Sequence, residues 1–177
     1  MSDKTEKKYM KKSEIVTFGI GLFGVALMTG WMPDYTATFF ADFAFKGKGF
    51  DSATMANAIS MVFLVAGIIG AVCELVIGYL VDNTRTKLGK VKPWVGFGVV
   101  PLAVVAMLVF IAPNTSNQTL AIVWMFVIYS LYTAFSCAVE SPSNCFGSLC
   151  SPNPAERSTA ISIASFLRSV GQSGGMV

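Results

Sequence analysis

Three acidic side chains fall inside long apolar stretches: Asp34, Glu74 and Glu140. A charge at the middle of a membrane helix costs about 2.5–3.5 kcal/mol on insertion scales, so such residues face a water-filled cavity, a partner or a transported ion. Glu74 is the most demanding of the three, with Ala71, Val72, Leu75 and Val76 around it. Burial raises a carboxyl pKa and lets the group exchange its proton near neutral pH. Asp34 reads equally well as a helix-end carboxylate reaching water. Glu140 precedes Ser141-Pro142-Ser143-Asn144, where freed carbonyls and short polar side chains suit a binding site. The chain has no histidine, so a proton carrier near neutral pH has to be a carboxyl. The cysteines are Cys73, Cys137, Cys145 and Cys150, with no Cys-x-x-Cys pair. That pattern argues against zinc or haem and for small packing residues, and no cofactor is expected. No nucleophile is paired with a base, and nothing points to an enzyme.

A second set of candidates is basic. The run Gly78-Tyr-Leu-Val-Asp82-Asn-Thr-Arg85-Thr-Lys87-Leu-Gly89-Lys90-Val-Lys92-Pro93-Trp94 joins two apolar stretches. Plain loop charge explains its lysines, but not Gly78 and Asp82 one helical turn apart. Gly78 allows a neighbouring helix to approach closely. Asp82 has Arg85 or Arg157 as possible partners. Such a charge cluster latches helix ends in one state and releases them in another.

These residues need elements to hold them, and composition says which. Hydrophobic residues make up 54% of the 177 and charged residues 13%, against about 25% charged in soluble domains. The stretches 15–33, 53–73, 93–113 and 120–139 carry no charge, and each is close to the roughly 20 residues that cross about 30 Å of hydrocarbon. The fold class is therefore all-α and transmembrane. A tail, 1–13, precedes helices expected at about 14–43, 53–81, 93–113, 120–150 and 156–177. Pro33 and Asp34 should interrupt the first helix, and Ser141-Pro142 should kink the fourth. Asp51-Ser52 is an N-cap signal, and Pro93 suits a first helical turn. Gly19-Ile-Gly21-Leu-Phe-Gly24 matches a dinucleotide fingerprint in letters only. It lies in an apolar helix with no strand before it, where close helix packing is the better account. The apolar run near the N-terminus is too long for a signal peptide. The chain stops at Val177 inside its fifth helix, which suggests a piece of a longer protein.

Charge sets the expected orientation. The tail has Lys4, Lys7, Lys8, Lys11 and Lys12, the second loop has Arg85, Lys87, Lys90 and Lys92, and the fourth has Arg157. The first loop has only Lys46 and Lys48, and the third has none. Positive-inside bias places the N-terminus in the cytoplasm, in a cell membrane. The lysine-rich tail is a topology signal with weak lipid attraction, not a nucleic-acid patch. Asn114-Thr-Ser and Asn117-Gln-Thr match the glycosylation pattern by letters.

Gly78-x-x-x-Asp82-x-x-Arg85 resembles the loop motif of the major facilitator superfamily. The longer run to Pro93-Trp94, with Pro154-Ala-Glu156-Arg157 two spans later, resembles the glycoside–pentoside–hexuronide:cation symporters, the melibiose carrier family. The resemblance runs from about Gly19 to Arg168. It implies a twelve-helix transporter of two six-helix halves, of which this chain supplies about five helices of the N-terminal bundle. The partners implied are a small sugar or glycoside, membrane lipid and the C-terminal half.

By resemblance, the family's second-helix acidic pair and asparagine fall on Gly70, Glu74 and Cys73, and a fourth-helix threonine falls on Cys137. One acidic ligand is kept, which favours H+ over Na+ as the coupling cation. The family's fourth-helix sugar-binding aspartate falls on Glu140. Its first-helix aspartate falls on Ala26, a tryptophan on Asn144 and a fifth-helix arginine on Ser165, with Arg168 one turn away as a substitute. The expectation is a cation-coupled symporter working by alternating access. Asp34, Glu140, Asn144 and Arg168 would face substrate, and Glu74, Cys73 and Cys137 the cation. Gly78, Asp82, Arg85, Lys90, Trp94 and Arg157 would form the cytoplasmic latch. The rivals are an exporter of amphipathic compounds or lipids that shares the loop, and a membrane scaffold or partner subunit that transports nothing.

Overall fold

A computed structural model describes residues 12–44, 51–86, 90–111, 113, 117–149 and 151–173. The tail lysines before Lys12, Lys46, Lys48, Lys87, Gly89, the Asn114 glycosylation pattern and Cys150 lie outside the described residues. The described chain forms five α-helices: α1 (Lys12–Thr38), α2 (Ser52–Asn83), α3 (Lys92–Val109), α4 (Gln118–Leu149) and α5 (Pro154–Ser173). There is no strand among the described residues. Three segments are long and apolar enough to cross a membrane, Ile15–Asp42, Ser52–Asn83 and Gln118–Cys145, and Pro93–Val109 is a shorter apolar helix. The chain is thus a multi-pass membrane protein. At 1.5 Å per residue the 32 residues of α2 extend to about 48 Å, longer than the hydrocarbon layer itself.

Two expected interruptions take another form. Pro33 lies inside α1, which continues to Thr38. The irregularity comes later, as a π-helical turn at Phe39–Ala44, the kind of widened turn that recurs at functional sites. Pro142 likewise lies inside a continuous α4. Prolines persist in membrane helices because neighbouring groups and local adjustment satisfy the freed carbonyls.

The chain divides into two compact units, 32–142 and the pair of segments 1–31 with 143–177. In the first, α2 and α4 run parallel. The Phe63 and Tyr129 rings meet edge to face at 4.7 Å, and further along both helices Gly70 faces Thr133 and Cys137. A Cβ on Gly70 would lie 3.0 Å from Thr133 Cγ2, so glycine sets the distance between these helices. α3 runs antiparallel to α4. Near its start Gly98 abuts Val139, and beyond its end the Trp124 indole N–H donates to the Ile111 carbonyl at 3.1 Å. The side chain of Asp51 caps α2 by accepting the Thr54 amide at 2.9 Å, as the sequence suggested.

In the second unit α1 and α5 run parallel through a small-residue seam. Gly19 meets Leu167, Gly171 meets Phe23 and Ala26, and Gly30 meets Gln172. The helical packing expected for Gly19 is present, whereas Gly21 and Gly24 have open space around them. α5 is less apolar than expected, and it is not among the segments apolar enough to span alone. Its buried residues are Ala160, Ala164 and Gly171, while Ser158, Ser162, Ser165 and Ser169 are exposed. Glycines and alanines stand at several of the helix contacts, and many large apolar side chains are exposed, such as Leu75 at 77%. Lipid is as apolar as leucine, so close packing rather than burial of large side chains joins the helices.

Candidate functional site

The polar residues singled out above divide between the two units. In the unit 32–142, α2 presents Gly70, Cys73 and Glu74 over one turn, opposite Cys137 of α4. Cys137 is buried, and its thiol donates to the Gly70 carbonyl at 3.6 Å. Cys137 also lies within electrostatic reach of Glu74 and Glu140. Cys73 is half-buried. Glu74 is exposed, so the described helices do not supply the burial expected for it. Gly70 and Glu74 lie one helical turn apart, but the close approach at Gly70 is to Thr133 and Cys137 and does not extend to cover the longer glutamate side chain. Glu140 is half-buried and Asp34 exposed. Thr38 donates its hydroxyl to the Asp34 carbonyl at 3.0 Å, a back-bond within the helix that tolerates Pro33.

The other unit brings two predicted substrate residues together. The Arg168 guanidinium on α5 donates to the Asn144 side-chain oxygen on α4. A guanidinium fixed by an amide oxygen is an oriented cation suited to carboxylate or hydroxyl oxygens.

The basic connection from α2 to α3 is built around Thr84. Its amide donates to the Val81 carbonyl at 3.1 Å and its hydroxyl to the Leu80 carbonyl at 2.7 Å, which ends α2. The Trp94 indole then donates to the same hydroxyl oxygen at 3.0 Å. Trp94 is thus the fastener of the loop, and Thr84 is a partner the sequence reading missed. Its only signal was its place just past the helix end, where a threonine can bond back to the last turn. The expected Asp82–Arg85 pair is not made: both are exposed, without an ion pair among the described residues. Asp82 belongs to the last helical turn while Arg85 lies beyond the cap. Gly78 also departs from expectation, since a Cβ there would meet nothing within 4 Å. Lys90 is exposed. Arg157, in the other unit, is exposed on α5. Its neighbour Glu156 is fixed to the preceding turn by the Ser151 hydroxyl at 2.9 Å. Among the described residues no three His, Cys, Asp or Glu side chains form a metal site.

Comparison with known proteins gives a consistent picture. A family model described as MFS/sugar transport protein matches residues 17–177. The inner membrane symporter YicJ of Escherichia coli is 30% identical over 122 residues, 69% of this chain and 26% of that protein. The isoprimeverose transporter of Lactiplantibacillus pentosus is 33% identical over 117 residues, 66% of this chain and 24% of its own length. An uncharacterized symporter of Bacillus subtilis, YjmB, is 29% identical over 178 residues, 99% of this chain and 36% of that one. The chain spans about a quarter to a third of the length of these relatives.

Proposed function

From the premise that this chain belongs to the MFS/sugar transport protein family, we propose that it forms the N-terminal part of a cation-coupled symporter for a sugar, glycoside or sugar acid. The observation that carries the reading is Arg168 held by Asn144 on helices of an otherwise apolar chain. Polar and charged groups on the helices of a membrane protein mark a path for polar cargo. The symporters and the isoprimeverose transporter among the relatives support the same class. Within one unit Arg168 and Asn144 are the candidate substrate residues, and within the other Glu140 and Asp34 are candidate acceptors for substrate hydroxyls.

The coupling cation in this reading is a proton carried by Glu74. The groups beside it, two thiols and a carbonyl already engaged by Cys137, are poor company for sodium, a hard cation that prefers several free oxygens. Contact between Glu74 and the remainder of the transporter would supply the burial that raises its pKa. The charged ends at Asp82, Arg85, Lys90 and Arg157, with Trp94 as fastener, act as the cytoplasmic latch of alternating access. The N-terminus is cytoplasmic and the membrane is the cell membrane. Exchange of charge partners between states biases the two conformations.

The test is uptake into vesicles by the complete transporter, with a panel of glycosides and sugar acids under imposed pH or sodium gradients. Glu74→Gln should abolish pH-gradient-driven uptake while substrate exchange persists. Unchanged gradient-driven uptake removes Glu74 from coupling. Transport of amphipathic compounds alone supports the exporter instead.

A further inference from the structure

The unit 32–142 contains a cavity of about 400 Å³ between the start of α3 and the inner half of α4, within the roughly 300–1,000 Å³ of small-ligand clefts. Thr84 and Thr86 form its lip, and Trp94, Phe97, Phe135 and Ala138 are among the residues of its walls. Among the described residues no charged side chain lines it. Its lip is nonetheless the most basic part of the described chain. Arg85 lies between the two lip threonines, and Lys90 three residues before Pro93, which also lines the cavity. Both cations are exposed and engage no partner among the described residues. Asp82, one turn back on α2, is the acid of this stretch and is likewise without a partner there.

Beyond the cavity, α3 carries an exposed apolar face. Phe97 is 81% exposed, and Val100, Val104 and Met107 continue the same exposed face of α3 at helical spacing. The Trp94 ring, in the first turn of α3, is held by Thr84, and indoles concentrate at the interfaces of membrane proteins. An apolar slot, an apolar track leading from it, an interfacial indole and two free cations at one lip match the parts of a phospholipid in order. We propose that this groove binds one anionic phospholipid, with an acyl chain between α3 and α4 and the headgroup phosphate on Arg85 and Lys90. The lipid fills the space under the α2–α3 connection and neutralises its charge, so membrane composition acts on the loop. A neighbouring protein helix would cover the apolar ridge but would leave the two lip cations without a counter-charge.

The experiment uses the full chain with Trp31→Phe and Trp124→Phe, so that Trp94 is the single fluorophore among the three tryptophans of the sequence. It is reconstituted in phosphatidylcholine nanodiscs with increasing brominated phosphatidylglycerol or brominated phosphatidylcholine, bromine being a contact quencher. Trp94 should be quenched saturably by the anionic lipid at roughly thirtyfold lower mole fraction, the scale that two interfacial basic residues supply at about 1 kcal/mol each. Arg85→Gln with Lys90→Gln should abolish the preference and leave bulk quenching. Ala138→Leu, which fills the groove wall, should remove the saturable component, with far-UV helicity confirming the fold. Should the tryptophan variants fail to fold, native mass spectrometry of the unaltered chain replaces the optical reading, with retained phosphatidylglycerol expected over phosphatidylcholine. Equal quenching or retention of both lipids overturns the proposal, as does a preference that survives removal of both cations. Absence of quenching by either lipid shows that protein covers the groove and also overturns it.

Discussion

Replacing Gly98 by alanine places a methyl in the seam between α3 and α4. A Cβ at that position lies 2.7 Å from Cγ2 of Val139, about an ångström inside the roughly 3.5–4.0 Å at which carbon atoms attract. Val139 has 0% exposure, and its branched Cβ holds it to one favoured rotamer in a helix. It cannot swing away without displacing its neighbours. Overpacking of this kind costs about 1–3 kcal/mol, while alanine gains about 0.8–1.0 kcal/mol over glycine in helix propensity. The net effect should lie between about zero and 2 kcal/mol of destabilisation. Gly96→Ala is the control: it sits on the same helix with nothing within 4 Å of its Cβ, so only the gain applies. The difference between the two variants isolates the clash at about 1–3 kcal/mol. Reversible unfolding of the chain in mixed micelles, titrated with dodecyl sulfate and followed by circular dichroism, measures it. Gly98→Ala combined with Val139→Ala should show a coupling above about 0.5 kcal/mol. If Gly98→Ala and Gly96→Ala unfold at the same detergent fraction, α3 and α4 do not meet at this point and their register is wrong.

Asp51 accepts both the amide and the hydroxyl of Thr54, and these bonds hold its carboxyl below the ordinary aspartate value. Its capping contribution is therefore complete above the ordinary carboxylate range and is lost as pH falls through the lower folded value. Hydrogen exchange at the Thr54 amide should accelerate in that acid window, and Asp51→Ala should already show fast exchange at neutral pH. Maleimide labelling should reach exposed Cys145 before half-buried Cys73 and last of all buried Cys137. Rapid labelling of Cys137 would contradict its contact with Gly70. Gly171→Ala should destabilise the α1–α5 seam more than Gly19→Ala, judged by the same micelle titration. At Gly171 the new methyl meets the Phe23 carbonyl at 3.1 Å, fixed backbone, whereas at Gly19 it meets only the flexible tip of Leu167.

Much of the architecture was legible because a bilayer imposes a coarse rule. Uncharged runs of about twenty residues have few alternatives to spanning helices, and the described chain is all-helical. The cap at Asp51 and the helical setting of Gly19 were equally local, and so were readable. Readings that required a partner fared less evenly. Asp82 and Arg85, close in sequence, form no pair among the described residues, whereas Arg168 meets Asn144, a contact the sequence did not indicate. Gly78 and Gly98 have the same residue type, yet one faces open space and the other a valine.

The sequence by itself determined an all-helical, membrane-spanning chain and the order of its helices, because hydropathy and the need to satisfy backbone groups act within each segment. It also carried the run from Gly78 to Trp94 that marks the family. Tertiary structure alone decided which residues of each turn face a neighbour. It set Gly70 and Cys137 against each other while leaving Glu74 exposed, fastened Trp94 to Thr84, and opened the groove beside Phe97. Those outcomes depend on helix rotation and spacing. In lipid these are set by the packing of small side chains on two helices at once, which no single stretch of sequence encodes.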